Sequence, residues 1–128
     1  MPLLHTSIRT SDMDRTVAFY TEVLGMALVR QKAITERSLE ISFLESDGGH
    51  QIEVVRYAKQ TSFQTPSYEE RVFDHLAFKV PDLDAVLAKC QAWGGRVVED
   101  PFHLPGSTGT YAFIRDPDGI TIELIQRA

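Results

Sequence analysis

Four residues of this chain have the types and spacing to hold a divalent metal: His5, Glu53, His75 and Glu123. In each half 48 residues separate the histidine from the glutamate, and an offset of 70 residues overlays the sequence on itself without a gap. Asp12/Asp82, Asp14/Asp84, Gly25/Gly95, Phe43/Phe113, Gly49/Gly119 and Ile52/Ile122 follow the same offset. Self-similarity at a fixed offset is the mark of a duplicated supersecondary unit. One imidazole nitrogen and one carboxylate oxygen from each half make a donor set suited to zinc, nickel, cobalt, manganese or iron(II), with no cysteine needed. Four such ligands leave one or two positions open in octahedral geometry, for water or a chelating pair of substrate oxygens. A metal there polarises a carbonyl or acidifies a bound water, and a glutamate that can leave it can serve as a proton-transfer base. Taken singly, a strand glutamate more often faces solvent and a strand histidine is more often structural. The duplicated spacing is what favours ligation.

The elements that must position these residues follow from periodicity and punctuation. Residues 3–9 read as a strand. Ser11 or Asp12 is a natural N-cap for a helix carrying Val17, Phe19, Tyr20, Val23 and Leu24 and ending at Gly25. Residues 26–32 and 38–45 read as strands. In the second of these, Leu39, Ile41 and Phe43 lie on one face and Glu40 and Ser42 on the other. Asp47-Gly48-Gly49 signals a hairpin into strand 50–57, with Glu53 at its centre. After a polar linker, 58–72, the order repeats: strand 73–80, a helix opened by Pro81-Asp82 and stopped by Gly94-Gly95, and a short strand 96–99. A loop 100–108 then leads to strands 109–115 and 120–126, which close across Asp116-Pro117-Asp118-Gly119. Each half is strand, helix, then three strands. The expected class is α+β: a single domain, 1–128, of two similar modules (repeat one about 1–57, repeat two about 73–128) whose sheets pair into one curved surface.

Composition bounds the partners. The length, 128 residues, suits one domain. A net charge of −5 with no basic run disfavours nucleic acid and anionic membrane surfaces. No apolar run approaches the ~20 residues a bilayer span needs, and Met1-Pro2-Leu3-Leu4-His5 has no secretory-signal pattern. Cys90 is the single cysteine, which excludes an intramolecular disulfide and fits a reducing cytoplasm. Cys90, Trp93 and Phe19 read as core, and His50, three residues before Glu53, points to the opposite face. No Ser/His/Asp spacing, phosphate loop or dinucleotide fingerprint is present.

Several segments resemble a known family: Leu4-His5-Thr6-Ser7-Ile8-Arg9, the helix end Phe19-Tyr20-Thr21-Glu22-Val23-Leu24-Gly25-Met26, Ile52-Glu53-Val54, Asp74-His75-Leu76-Ala77, and the run from Ala112 through Asp116-Pro117-Asp118-Gly119 to Glu123-Leu124. On these the chain resembles the vicinal oxygen chelate superfamily, and within it glyoxalase I, over nearly its whole length. The resemblance implies a paired βαβββ fold and a homodimer. In such a dimer His5 and Glu53 of one chain meet His75 and Glu123 of the other around a divalent metal. Histidine at the first ligand position resembles the nickel- or cobalt-preferring type, with zinc as the further possibility. The implied reaction converts the hemithioacetal of methylglyoxal and glutathione to S-lactoylglutathione through an enediolate. Glu53 and Glu123 would shuttle the proton, and Arg9 and Arg71 would anchor glutathione carboxylates.

The chain also departs from the family. Tyr57 stands where an asparagine is usual, and loop 100–110 carries His103 in place of the usual lysines. This leaves the thiol open between glutathione and another. Among rival readings, an extradiol dioxygenase or a fosfomycin thiol transferase would use only His5, His75 and Glu123. An acyl-CoA epimerase would usually have glutamine at the place of Glu53. A non-catalytic small-molecule-binding or resistance protein would commonly have lost ligands.

Overall fold

The computed structural model describes residues 1–64 and 66–127. Thr65 of the expected linker, and Ala128 at the expected end of repeat two, lie outside the described residues. The chain divides into two compact units, Met1–Phe63 and Gln64–Ala128.

In the first unit, β1 (His5–Arg9) leads into α1 (Met13–Glu22), then β2 (Ala27–Ile34), β3 (Leu39–Glu45) and β4 (Gln51–Tyr57). These strands form a four-stranded mixed sheet in the order β1-β4-β3-β2, with β1 parallel to β4 and the other pairs antiparallel. The second unit repeats the order with β5 (Leu76–Lys79), α2 (Leu83–Trp93), β6 (Arg96–Phe102), β7 (Thr110–Arg115) and β8 (Thr121–Gln126), in sheet order β5-β8-β7-β6. The expected α+β, βαβββ organisation is the one observed.

Local chemistry explains the repetition. Asp12 caps α1 by accepting from the Arg15 backbone N–H at 3.1 Å, and Asp82 caps α2 by accepting from that of Ala85 at 3.1 Å. Asp14 and Asp84 place a negative charge in each first turn, where the helix dipole favours it. Gly49 and Gly119 both have positive φ, 83° and 98°, in the hairpins that reverse β3 into β4 and β7 into β8. The helix stops are less alike. Positive φ falls at Gly25 in one half but at Gly94, not Gly95, in the other.

Behind each sheet the helix supplies the core. Phe19 and Tyr20 are fully buried with Leu44 and Val54, and Cys90 with Ala112, Ile114, Ile122 and Leu124. Thr10 and Thr16, both buried, share a 2.7 Å hydroxyl hydrogen bond. Burial of Phe19 and Cys90 agrees with the sequence reading, whereas Trp93, at the end of α2, is only half-buried. Ser42, placed on the face opposite Leu39, Ile41 and Phe43, is 1% exposed, because β3 is buried on both faces and Ser42 shares its side with Leu44. Its hydroxyl accepts from Gln31 Nε2 at 3.0 Å, which satisfies it there.

Three further details differ from expectation. A single 3-10 turn, Thr35–Arg37, precedes β3 and ends at Ser38 with φ 52°. Strand β6 runs to Phe102 instead of ending at 99, and its ladder to β7 shifts register on both sides of Glu99. Pro101 fits there because β6 is an edge strand and its pairing is interrupted. His75 sits immediately before β5, not within it. Among the described residues no helix is long and apolar enough to cross a membrane.

Two measurements check this packing. Asp116 is 3% exposed, and its Oδ1 accepts from the backbone N–H groups of Asp118 and Ile120 at 3.0 and 2.9 Å. Asp116→Ala strands both donors and should lower stability by about 2–3 kcal/mol in urea unfolding. Burial pushes the Cys90 thiol up from its ordinary pKa. Cys90 should therefore resist a thiol-labelling reagent at pH 8 in the folded protein and react at once in urea.

Candidate metal and proton-transfer site

The strand pleat sorts the candidate residues onto one face. The parallel ladder sets Ser7 against Glu53 and Arg9 against Val55, while β3 and β4 set Phe43 against Glu53. His5, Ser7 and Arg9 thus share the face of Glu53, opposite the buried Ile52 and Val54. His5 Nε2 lies 3.7 Å from Glu53 Oε2, with the two side chains 33% and 18% exposed. Phe43 meets the imidazole edge-on, with centroids 5.6 Å apart and planes at 81°.

The second unit reproduces this arrangement. Glu123 lies across from Ala77 on one side and Phe113 on the other. His75 Nε2 is 3.7 Å from Glu123 Oε1, and Phe113 meets the ring at 5.6 Å and 82°. The offset seen in the sequence therefore extends to the contact geometry, and it includes Phe43 and Phe113, which sequence reasoning recorded as matched but gave no role.

The halves differ in what holds each ligand. Ser7 Oγ donates to Glu53 Oε1 at 2.8 Å, whereas the position facing Glu123 is Ala77, which has no hydroxyl. His75 Nδ1 hydrogen-bonds the Asp74 carboxylate at 2.5 Å, whereas His5 follows Leu4. The His75 bond holds the Asp74 carboxyl below the usual carboxylate range; desolvation opposes this, and the Arg71 charge adds to it. Neither Ser7 nor Asp74 was singled out from sequence. The adjacent Asp-His pair was the only visible signal for Asp74, and Ser7 needed the strand register.

The two arginines are placed differently. Arg9 is exposed, lies over the Tyr57 ring at 4.3 Å and donates to Gln60 Oε1 at 3.2 Å. Tyr57, which stands where the resemblance implies an asparagine, is therefore the platform for Arg9. Arg71 is only 16% exposed at its side chain; it donates to Thr121 Oγ1 at 2.7 Å and pairs with Asp74 at 3.6 Å. It lines a shallow cleft with Phe73, Asp74, Gly119 and Thr121. His103 hydrogen-bonds the Gly109 carbonyl at 3.2 Å, and His50 is exposed in the turn before β4.

The structure brings the four candidate ligands together as two His/Glu pairs, and among the described residues no group of three or more such side chains converges to hold an ion. Each pair fits half of a metal shell. Nitrogen and oxygen ligands each about 2.1 Å from a metal lie roughly 3.0–3.4 Å apart. The observed 3.7 Å separations between partly exposed side chains need only a small rotamer adjustment.

Comparison with known proteins agrees with this geometry. Residues 3–124 match the family described as Glyoxalase/Bleomycin resistance protein/Dioxygenase superfamily. A probable lactoylglutathione lyase of Vibrio cholerae is 36% identical over 125 residues, covering 97% of this chain and 89% of that one. The crystal structure of the V278E mutant of glyoxalase I from Zea mays superposes with a TM-score of 0.81 at 28% identity, over 98% of this chain. The present chain spans only 44% of that one. The trypanothione-dependent glyoxalase I of Leishmania major gives a TM-score of 0.80 at 29% identity, over 98% of this chain and 86% of that one. A duplicated βαβββ unit, a His/Glu pair at matching places in each copy, and a match spanning nearly the whole chain lead to one assignment: the protein belongs to the Glyoxalase/Bleomycin resistance protein/Dioxygenase superfamily and is glyoxalase I-like within it.

Proposed function

We propose that this chain is a metal-dependent glyoxalase I-type lyase that isomerises the hemithioacetal of methylglyoxal and a thiol to the S-lactoyl thioester. The observation that carries this reading is the pair of matched His/Glu contacts, each 3.7 Å and each braced by a phenylalanine. The two units act as one domain, 1–128, and a homodimer completes each site. His5 and Glu53 of one chain would hold the ion with the partner subunit's His75 and the partner subunit's Glu123. Bound there, a divalent ion (nickel or cobalt favoured over zinc) would supply the electrophile that acidifies the substrate's C–H. A lone buried Cys90 and a net charge of −5 fit a cytoplasmic enzyme of small molecules.

The chain's own residues supply proton transfer and orientation. A glutamate carboxylate removes the proton from the carbon bearing sulfur and hydroxyl, leaving the enediolate. A proton is then delivered to the adjacent carbon, the hydroxyl proton passes from the oxygen of the first carbon to that of the second, and the thioester carbonyl forms at the first. Atoms and charge balance without an added reactant. Glu53, held by Ser7, is the more fixed of the two carboxylates; Glu123, facing Ala77, is the freer one and the better suited to move a proton. Arg9, exposed at the end of β1 on the same face, is a cation available to a thiol's carboxylate, while Arg71 is engaged by Thr121 and Asp74.

The deciding assay is thioester formation from methylglyoxal and glutathione by metal-stripped protein reloaded separately with nickel, cobalt and zinc. Metal-dependent turnover is expected. Metal binding without turnover on glutathione, repeated with trypanothione and other thiols, would sink the lyase reading. Glu123→Gln should keep the fold by circular dichroism and lower kcat by about a hundredfold or more; wild-type turnover in that variant would remove Glu123 from the proton path.

A further inference from the structure

We infer that Asp74 is a positioning residue that fixes the His75 ring, and that Arg71 fixes Asp74 in turn. The inference rests on the reading of His75 as a metal ligand. A continuous line of contacts leads to the ring. Arg71 Nη1 donates to Thr121 Oγ1 at 2.7 Å, Arg71 Nη2 lies 3.6 Å from Asp74 Oδ1, Asp74 Oδ2 meets His75 Nδ1 at 2.5 Å, and His75 Nε2 faces Glu123 at 3.7 Å.

An ionised carboxylate can only accept, so in the neutral ring this contact places the proton on Nδ1 and leaves Nε2 to coordinate. A carboxylate on the far nitrogen of a metal-binding imidazole fixes its tautomer and raises its basicity. Asp74 is 65% exposed at its side chain and by itself would sample several rotamers. Arg71, only 16% exposed and tied to Thr121, is the rigid element that holds it.

The first unit separates this effect from simple packing. Phe43 holds the His5 ring as Phe113 holds that of His75, within a degree in interplanar angle. Yet Leu4 and Met1 occupy the places matching Asp74 and Arg71. Ring packing is therefore common to both halves, and among the described residues the carboxylate contact to the histidine Nδ1 belongs to the second half. Arg71 thereby acts on the site through Asp74 and His75 and is not a free anchor for a substrate carboxylate.

The test uses the full chain and two variants, D74L, which copies the first half, and D74N, which keeps shape and loses charge. In metal-free wild type, long-range proton–nitrogen NMR should show His75 protonated at Nδ1, and D74L should lose that preference. Nickel affinity, measured by competition with a chelator, should fall about tenfold in D74L, with D74N between it and wild type. D74L retaining wild-type nickel affinity, or an unchanged His75 tautomer, overturns the inference while leaving the metal reading in place. A wild-type protein that takes up no nickel, cobalt or zinc overturns the metal reading itself, and this inference with it.

Discussion

In each unit the chain leaves the first strand through the helix to the far edge of the sheet, and the last strand of the meander that follows lies parallel to the first. The site depends on that one parallel ladder. Without β1 lying against β4 in the observed register, Ser7 would not meet Glu53 and His5 would sit 48 residues from its partner with no route to it. The ladder holds because both strands bury their other face. Ile8, Ile52 and Val54 are all nearly inaccessible, and a slip by one residue would turn them to the polar side. The same apolar residues that fix the register thus aim the carboxylate.

Duplication supplies two sites of the same shape, and local sequence then makes them unequal. The glutamate is braced in the first unit and the histidine in the second, by Ser7 and Asp74 respectively. Each half pairs one constrained side chain of the candidate site with one freer one. A catalyst that must hold an ion firmly and also move a proton needs both kinds of group, and a fully braced set would serve only the first purpose.

Much of the fold was legible in the sequence because its signals are local or repeated. The Asp N-caps, the helical apolar spacing and the Gly hairpins each dictate one element, and the 70-residue offset confirms each against its copy. What was not legible depends on contacts across the sheet. Ser42 is buried because β3 packs both faces, which alternation cannot reveal. Pro101 falls in the segment 100–108 expected to be a loop, yet an edge strand with a shifted register accommodates it. The ligand candidates were legible as residue types at matching places, while their grouping as His/Glu pairs, the Ser7 hydrogen bond and the Asp74 contact arise only in the folded sheet.

The order in which a unit can assemble follows from the same ladder. The β3–β4 hairpin closes over a short turn at Gly49, a contact of low entropic cost. The β1–β4 pairing closes a loop of more than forty residues and becomes favourable only once helix and hairpin offer a surface to join. The His/Glu contact therefore belongs to the strand pairing of greatest sequence separation in its unit. On the proposed reading, a partly assembled chain would have no paired His/Glu side chains to offer, and ion capture would report completed folding.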